Sequence, residues 1–303
     1  MTSTTASGHR DAGHRNAAGL GLAAMLGAAL LFTIHDTVAK WILGDLPVSQ
    51  FMATRGVVVL AGLLLFILLT GRHSVLRIWN WRAMLLRCTG IVAAAYLFLL
   101  ALRALPLADT YAIAFASPLI TLLLAILFLG ERVGWRRWLA VVVGFAGVCL
   151  ALLPTGQGYA WTAALLPLAS AFGSSLRDVA SRRLSATDTT LGIMVYTSLA
   201  ITLAGFAGWA FEPWHFSGTG DSLWLILGCA ALQGGSHWLQ IEAYRCAEIS
   251  FLMPFRYLSL VFATAAGFLV WGDVPAWNVA LGSVIIIGSG LFIWYREHRA
   301  KRR

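Results

Sequence analysis

Charged residues are scarce in this chain of 303 residues, at only 12% of the sequence. That is about half the share of a typical soluble domain, while apolar residues reach 59%. A soluble protein of this length needs a charged surface, so the composition excludes one and predicts a surface that faces lipid. The net charge of +9 does not indicate nucleic-acid binding, because the basic residues lie in short clusters between apolar runs and at the C-terminus.

Cysteines and catalytic signatures are equally sparse. The four cysteines are scattered in or next to apolar runs, with no CxxC pair and no metal-like spacing with histidine. P-loop and HExxH motifs are also missing, so we expect no metal, no cofactor and no enzyme of those classes. The N-terminal segment lacks the short apolar core and cleavage site of a signal peptide, and we predict that residues 1–18 form a disordered cytoplasmic tail.

Long apolar runs fill the rest of the chain. Ten of them approach the roughly 20 residues that a helix needs to cross a bilayer. They are too long and too uniformly apolar for barrel strands. We therefore predict an all-α polytopic membrane protein with ten transmembrane helices and a basic cytoplasmic tail at 296–303. The predicted spans are 19–42, 49–70, 83–103, 107–129, 135–153, 159–181, 189–211, 222–244, 249–271 and 276–295.

The basic clusters predict the orientation of these spans. All of them fall on one side if the N-terminus is cytoplasmic, whereas the opposite loops 154–158, 212–221 and 272–275 contain no lysine or arginine. Because cytoplasmic loops are enriched in lysine and arginine, we predict that both termini are cytoplasmic.

The chain also repeats itself. Residues 101–135 align with residues 243–277 at a shift of 142, which pairs Ser117 with Ser259 and Trp135 with Trp277. This predicts two five-helix repeats, 19–153 and 159–295. Five is odd, so the second repeat is inverted in the membrane. Inverted repeats are typical of secondary transporters, in which the substrate binds near the midplane between the repeats.

Residues 106–133, "PLADTYAIAFASPLITLLLAILFLGERV", resemble the signature of the drug/metabolite transporter superfamily, EamA type. The resemblance covers essentially residues 19–295. The second copy departs from the pattern, since Leu260 replaces Pro118 and Arg256 stands where the first copy has Ala114. Within the family the aromatic-rich chain is similar to the YddG-type amino-acid exporters. The resemblance implies a central cavity surrounded by spans 1, 3, 4, 6, 8 and 9, with spans 5 and 10 at the periphery.

Polar residues in span eight recur at helical spacing. Gln233, His237, Gln240 and Tyr244 share one face, and such a face is costly in lipid, so we expect it to point inward. Interhelical hydrogen bonding is the simpler explanation, and lining a wet path is the functional one. Gly234 and Gly235, in the same stretch, are expected to allow close packing or bending of the helix.

The two repeats offer different walls for a cavity. Arg256 in span nine suits a substrate carboxylate, with an ion pair to Glu242 or Asp178 as the structural alternative. The first repeat is predicted to supply an aromatic wall and the second a polar one, and together they suit an amphipathic zwitterion. The predicted substrate-binding residues are Gln233, His237, Trp238, Gln240, Arg256, Tyr257, Tyr96, Tyr111 and Phe115.

Two charged clusters at the ends of spans one and six are candidate gates. The first contains His35, Asp36 and Lys40, and the second contains Arg177 and Asp178. Helix-end charges that reach the interface are an equally good explanation.

The sequence therefore predicts a secondary transporter of the bacterial inner membrane. It exports small amphipathic metabolites, above all amino acids including aromatic ones, by alternating access. The runner-up is a proton-coupled exporter of cationic drugs. An intramembrane hydrolase using Ser236 and His237 is a distant third, because neighbouring side chains on a helix point about 100° apart. The expected partners are a small-molecule substrate and the lipid bilayer, and the glycines of spans five and ten leave a homodimer open.

Overall fold

Every regular element in the described part of the chain is a helix. The computed structural model describes residues 4–129, 135–151, 161–184, 187–214, 219–246, 252, 256 and 258–300. Two short 3-10 helices, His73–Leu76 and Trp161–Ala164, precede the third and seventh α-helices. The α-helices are α1 (Thr4–Ile42), α2 (Val48–Thr70), α3 (Trp81–Ala104), α4 (Leu107–Ala114), α5 (Ser117–Leu129), α6 (Trp135–Ala151), α7 (Leu165–Leu184), α8 (Thr190–Gly208), α9 (Thr219–Cys246), α10 (Leu258–Trp271) and α11 (Trp277–Ala300).

Four stretches of the described residues are long and apolar enough to cross a membrane. These are Gly19–Ile42, Val48–Thr70, Trp81–Ala104 and Thr190–Gly208. Each of the other predicted spans contains helical residues, and its crossing of the membrane stays a prediction. The all-helical class agrees with the sequence analysis.

The fourth predicted span, 107–129, is broken rather than continuous. Helix α4 ends at Ala114, and Phe115 and Ala116 form a turn before α5 begins at Ser117. Pro118 has no N–H to donate to the carbonyl of Ala114, so the hydrogen-bond ladder of α4 cannot continue through this position. The hydroxyl of Ser175 in α7 donates to the carbonyl of Ser117 at 2.9 Å and ties the break to α7.

Two helices extend beyond the predicted spans. Helix α1 begins at Thr4, so most of the segment expected to be a disordered tail is helical in the structure. Helix α11 continues to Ala300, into the basic tail. The physical reason is that extending an existing helix adds one hydrogen bond per residue without a new nucleation cost.

The helices associate mainly in pairs. Helix α1 packs along α9, α3 along α7, α2 along α8, and α6 along α11. At the α3–α7 crossing a Cβ at Gly90 would lie 2.8 Å from the carbonyl oxygen of Gly173, and the reverse contact is equally close. Only glycine permits backbones to approach this closely.

Gly144 and Gly147 of α6 pack inside the chain. A Cβ at Gly147 would lie 2.9 Å from the carbonyl oxygen of Gly282, so these helices use their small residues against each other. Neither helix contributes a described residue to the central cavity. The homodimer that the sequence leaves open stays a prediction.

Candidate functional site

A cavity of about 170 Å³ lies between the central helices. Its walls come from α1, α3, α4, α7 and α9, together with Arg256 and Ser259 of the ninth predicted span. Helices α2 and α8 add Arg55 and Ile201. The break between α4 and α5 lies at the cavity, where Phe115 and Ser117 contribute to its wall.

One wall of the cavity is aromatic. Phe32, Phe98, Tyr111 and Phe115 line it. The rings of Phe98 and Tyr111 pack edge to face with centroids 5.6 Å apart, and those of Tyr111 and Phe115 with centroids 6.1 Å apart. Edge-to-face packing fixes the rings in place and offers an apolar surface to a ligand.

Asp36 forms a cluster with three other buried polar side chains. The Asp36 carboxylate accepts a hydrogen bond from Tyr111 Oη at 2.6 Å and lies 2.8 Å from His35 Nδ1. Arg55 Nη1 lies 2.7 Å from the other ring nitrogen of His35. The cluster links α1 to α2 and α4, and Asp36 is engaged on both carboxylate oxygens.

A second cluster surrounds Asp178. Its carboxylate is fully buried and accepts hydrogen bonds from Arg177 Nε at 2.9 Å and from Arg256 Nη1 at 2.7 Å. Arg87 of α3 adjoins this cluster, because its Nη1 donates to Ser181, whose hydroxyl donates to the carbonyl of Arg177 at 2.5 Å. A buried carboxylate between two guanidinium groups compensates charges that would be costly to bury alone.

The two clusters carry an excess of positive charge. Their described side chains include four guanidinium groups, of Arg55, Arg87, Arg177 and Arg256, and two carboxylates, of Asp36 and Asp178. Such an environment attracts electron-rich or anionic groups and disfavours cations.

The polar wall is formed by the stripe of α9. Gln233, His237 and Gln240 all line the cavity, as the helical spacing predicts. His237 Nδ1 lies 3.1 Å from the carbonyl oxygen of Gln233, and the imidazole packs edge to face on Phe32 with centroids 5.0 Å apart. Ser236 is buried and donates to the same carbonyl at 2.9 Å, so it makes no nucleophile–base pair with His237.

Comparison with known proteins now decides the family. Residues 19–153 match the model of the EamA-like transporter family. A protein of Vibrio cholerae named riboflavin transporter is 31% identical over 283 residues, which cover 92% of this chain and 94% of the relative. The chain belongs to the EamA-like transporter family.

Other comparisons agree with this membership. A riboflavin transporter of Rhizobium johnstonii is 30% identical to this EamA-like transporter over 92% of each chain. A solved crystal structure with 21% identity superposes with a TM-score of 0.67 over 94% of this chain and 99% of the other, which shows the shared fold alone. The protein is therefore a small-molecule transporter and a multi-pass protein of the bacterial inner membrane, not an enzyme.

Most of the predicted site residues of the EamA-like transporter meet at the cavity. Besides the α9 stripe, the cavity wall includes Tyr111, Phe115 and Arg256 of the predicted binding set. It also includes His35, Asp36 and Arg177 of the predicted gates. Arg256 forms an ion pair with Asp178, one of the two acids that the sequence analysis named as its possible partners.

Trp238 and Tyr96 do not belong to the described cavity wall, contrary to the prediction. Trp238 is 39% exposed, and Tyr96 is half-buried against the hydrophobic core. Both follow a residue that faces the cavity, His237 and Ala95, and successive side chains on a helix diverge by about 100°. The alignment of the repeats paired these two aromatic residues, but it carries no information about which face lines a cavity.

Two further predicted residues, Lys40 and Asp178, have other positions. The ammonium of Lys40 donates to the carbonyls of Leu102 and Leu105 at the end of α3, and it stacks 5.5 Å from the ring centroid of Trp271. Asp178 lies behind Arg177 rather than on the cavity wall. Tyr257 lies outside the described residues.

Helix α9 is unbroken from Thr219 to Cys246, so Gly234 and Gly235 do not interrupt it. A Cβ at Gly234 would meet no atom within 4 Å, and one at Gly235 would meet only Leu31, at 3.3 Å. The polar stripe stays in register because the helix continues through these glycines.

Sequence reasoning missed Arg55 and Arg87. Both interrupt apolar runs, in the second and third predicted spans, and both are almost fully buried. An arginine inside a membrane span indicates function or pairing, so this rule would have identified both residues from the sequence. Phe32 and Phe98 carried no such signal, because an isolated phenylalanine in an apolar helix looks like any lipid-facing residue.

Proposed function

We propose that this protein is a secondary carrier for planar aromatic metabolites with hydrogen-bonding substituents, of the riboflavin class. The observation that carries the proposal is the pairing of an aromatic wall with a wall of amide, imidazole and hydroxyl groups in one cavity. A flat heterocycle stacks on the first wall, while its polar edge and side chain bond to the second. Two relatives named riboflavin transporters, aligned over 92% of this chain, support this substrate class.

The carboxylates of Asp36 and Asp178 already bond to protein side chains, and this favours a ligand without a positive charge. Asp36 is bonded to Tyr111 and His35, and Asp178 is bonded to two arginines. A cationic drug needs an acid that is free to receive it, so the cationic-drug exporter is the weaker alternative. The uncharged ring system of riboflavin needs no such acid.

Ten spans in two inverted repeats form the proposed architecture. The helix pairing supports it. When each predicted span is replaced by its counterpart in the other repeat, five spans away, the α1–α9 pair becomes the α7–α3 pair. The same exchange leaves the α2–α8 and α6–α11 pairs unchanged. Carriers of this build alternate between two symmetry-related conformations around a central site.

The two carboxylate clusters are proposed as the two gates. In spans one and six a shift of 141 pairs Val38-Ala39 with Val179-Ala180, which places Asp36 within one residue of the counterpart of Asp178. Asp36 holds α1 to α4 through Tyr111, and Asp178 holds α7 to the ninth span through Arg256. Opening one latch while the other stays closed gives access to one side at a time. His35 bonds to Asp36, Arg177 bonds to Asp178, and Lys40 bonds to the carbonyl of Leu102 at the end of α3. We assign these three residues a supporting role at the latches.

Amino-acid export, predicted from the sequence, is the second candidate. The specific observation in its favour is that the described side chains of the two clusters hold four guanidinium groups and two carboxylates, a balance that suits a substrate carboxylate. Against it stands the lack of an open acid, among the described residues of the clusters, for the amino acid's ammonium.

The test is flux into proteoliposomes that contain the purified full chain. Riboflavin, phenylalanine and a quaternary-ammonium dye are compared at equal concentration, each with and without a pH gradient. We expect saturable riboflavin flux and little flux of the dye. Phe98→Leu removes a ring from the cavity wall and should raise KM for riboflavin by roughly 5-fold to 20-fold, because a stacked ring contributes about 1–2 kcal/mol.

Phe268→Leu is the matched control, because its ring is 59% exposed on α10. Its KM should stay within about twofold of the wild type. Phenylalanine flux without riboflavin flux would promote the amino-acid carrier, and flux of the dye alone would promote the cationic-drug exporter.

A further inference from the structure

A small annex opens beside the polar wall of the central cavity. It has a volume of about 20 Å³ and lies between α2, α3, α8 and α9, with Arg87, Thr197, Gln233 and His237 among its lining residues. Gln233, His237 and Ile201 line both the annex and the central cavity, so the two spaces meet at His237.

Two buried polar atoms at the annex have no hydrogen-bond partner among the described residues. They are Nη2 of Arg87, whose side chain belongs to a residue 2% exposed, and Nε2 of His237, a residue 8% exposed. The other nitrogens of both side chains are engaged: Arg87 Nε donates to Thr197 at 3.2 Å, Arg87 Nη1 donates to Ser181, and His237 Nδ1 bonds to the carbonyl of Gln233. A buried polar atom without a hydrogen bond destabilises the fold, so each of these two atoms needs an explanation.

The two orphaned atoms have opposite hydrogen-bonding character. A guanidinium nitrogen can only donate, so Arg87 Nη2 requires an acceptor. The carbonyl of Gln233 can only accept, so the Nδ1 of His237 carries the proton of the neutral ring and Nε2 presents a lone pair. The residues that line the annex therefore carry one unpaired donor and one unpaired acceptor among the described side chains.

We propose that the annex reads the lactam or cyclic-imide edge of the substrate ring. The ring carbonyl accepts from Arg87, and the adjacent ring N–H donates to His237. A carboxylate has no hydrogen to give to His237, and a quaternary ammonium can accept nothing from Arg87, so neither matches both atoms. This assignment rests on the proposed carriage of planar heterocycles, since the isoalloxazine ring of riboflavin carries such an imide.

The first test compares riboflavin with 3-methylriboflavin, which has a methyl group in place of the imide hydrogen. Binding to the purified full chain is followed by quenching of flavin fluorescence. We expect the methylated ligand to bind at least about tenfold more weakly, because a site built to pair with an N–H leaves its own polar group unpaired when that hydrogen is missing.

Variants at His237 separate hydrogen bonding from steric exclusion. In His237→Phe the discrimination should fall to about threefold or less, whereas His237→Gln keeps an acceptor and should retain a larger part of it. His73→Phe replaces an exposed histidine in the first 3-10 helix and should leave both affinities unchanged. Gel filtration of every variant checks that it is folded.

A second measurement is independent of flavins. Uracil, a small cyclic imide, should raise the melting temperature of the wild-type protein more than that of His237→Phe, and 1,3-dimethyluracil should raise neither. If riboflavin does not bind but uracil stabilises the wild-type protein more than His237→Phe, the proposed substrate class is wrong and the proposed role of the annex is supported. If riboflavin is carried with no discrimination in either experiment, the annex holds only water and the proposal is overturned, while the carrier function remains.

Discussion

At the scale of single residues, the buried charges of this transporter are compensated by one another. Asp178 is the strongest case, because its carboxylate is fully buried and bonds two arginines. Removing one partner of a buried pair leaves the other charge uncompensated, which costs about 3–5 kcal/mol. Asp178→Asn should therefore lower the melting temperature of the purified protein markedly.

Glu242→Gln provides the comparison for that measurement. Glu242 lies 3.7 Å from Arg245 with about a third of its side chain exposed, and an exposed pair contributes roughly 0–1 kcal/mol. Equal melting temperatures for Asp178→Asn and Glu242→Gln would show that the buried cluster contributes nothing special to stability.

Single residues also mark where prediction from sequence stops. Helical spacing correctly brought Gln233, His237 and Gln240 to one cavity wall, because a straight helix fixes which residues share a face. The partner of a charge is harder to predict, because Arg256 and Asp178 lie far apart in the sequence and meet only through tertiary packing. Hence the ion pair remained one of two alternatives until the fold was known.

At the scale of helices, hydropathy predicted where the elements lie but not how each one begins, breaks or ends. The break between α4 and α5 follows from Pro118, a signal that a hydropathy window averages away. The close approach of α3 and α7 at Gly90 and Gly173 depends on both helices at once, so neither segment predicts it alone.

That crossing gives a test at the same scale. Gly90→Ala places a Cβ against the backbone of Gly173 and Arg177 at less than 3.0 Å, which forces the helices apart. We expect a loss of about 1–3 kcal/mol, measured as a lowered melting temperature. Gly228→Ala is the control, because its Cβ meets no atom within 4 Å and alanine favours the helix. A tolerated Gly90→Ala would contradict the packing described for α3 and α7.

At the scale of the whole molecule, the pairing of α1 with α9, α3 with α7, α2 with α8 and α6 with α11 is the pattern that the two proposed repeats would give. Composition and the internal repeat predicted the class of the protein, and membership of the EamA-like transporter family agrees with it. The substrate could not be predicted in the same way. It depends on which side chains from α1, α3, α4, α7 and α9 converge on one cavity, and on which acids are already paired.

The central claim is that the cavity opens to both sides of the membrane in turn and holds the substrate. Ala95 lines the cavity, and Asp45 is exposed in the loop between α1 and α2. The measurement introduces Ala95→Cys or Asp45→Cys into a chain freed of its four native cysteines. Labelling by a membrane-impermeant thiol reagent is then followed in right-side-out and inverted vesicles, with and without riboflavin.

We expect Cys at position 95 to be labelled in both kinds of vesicle and riboflavin to slow the labelling in each. Cys at position 45 should be labelled in one kind only, with no effect of riboflavin. Labelling of position 95 from a single side, or at a rate that riboflavin does not change, would contradict an alternating-access carrier with its substrate in this cavity.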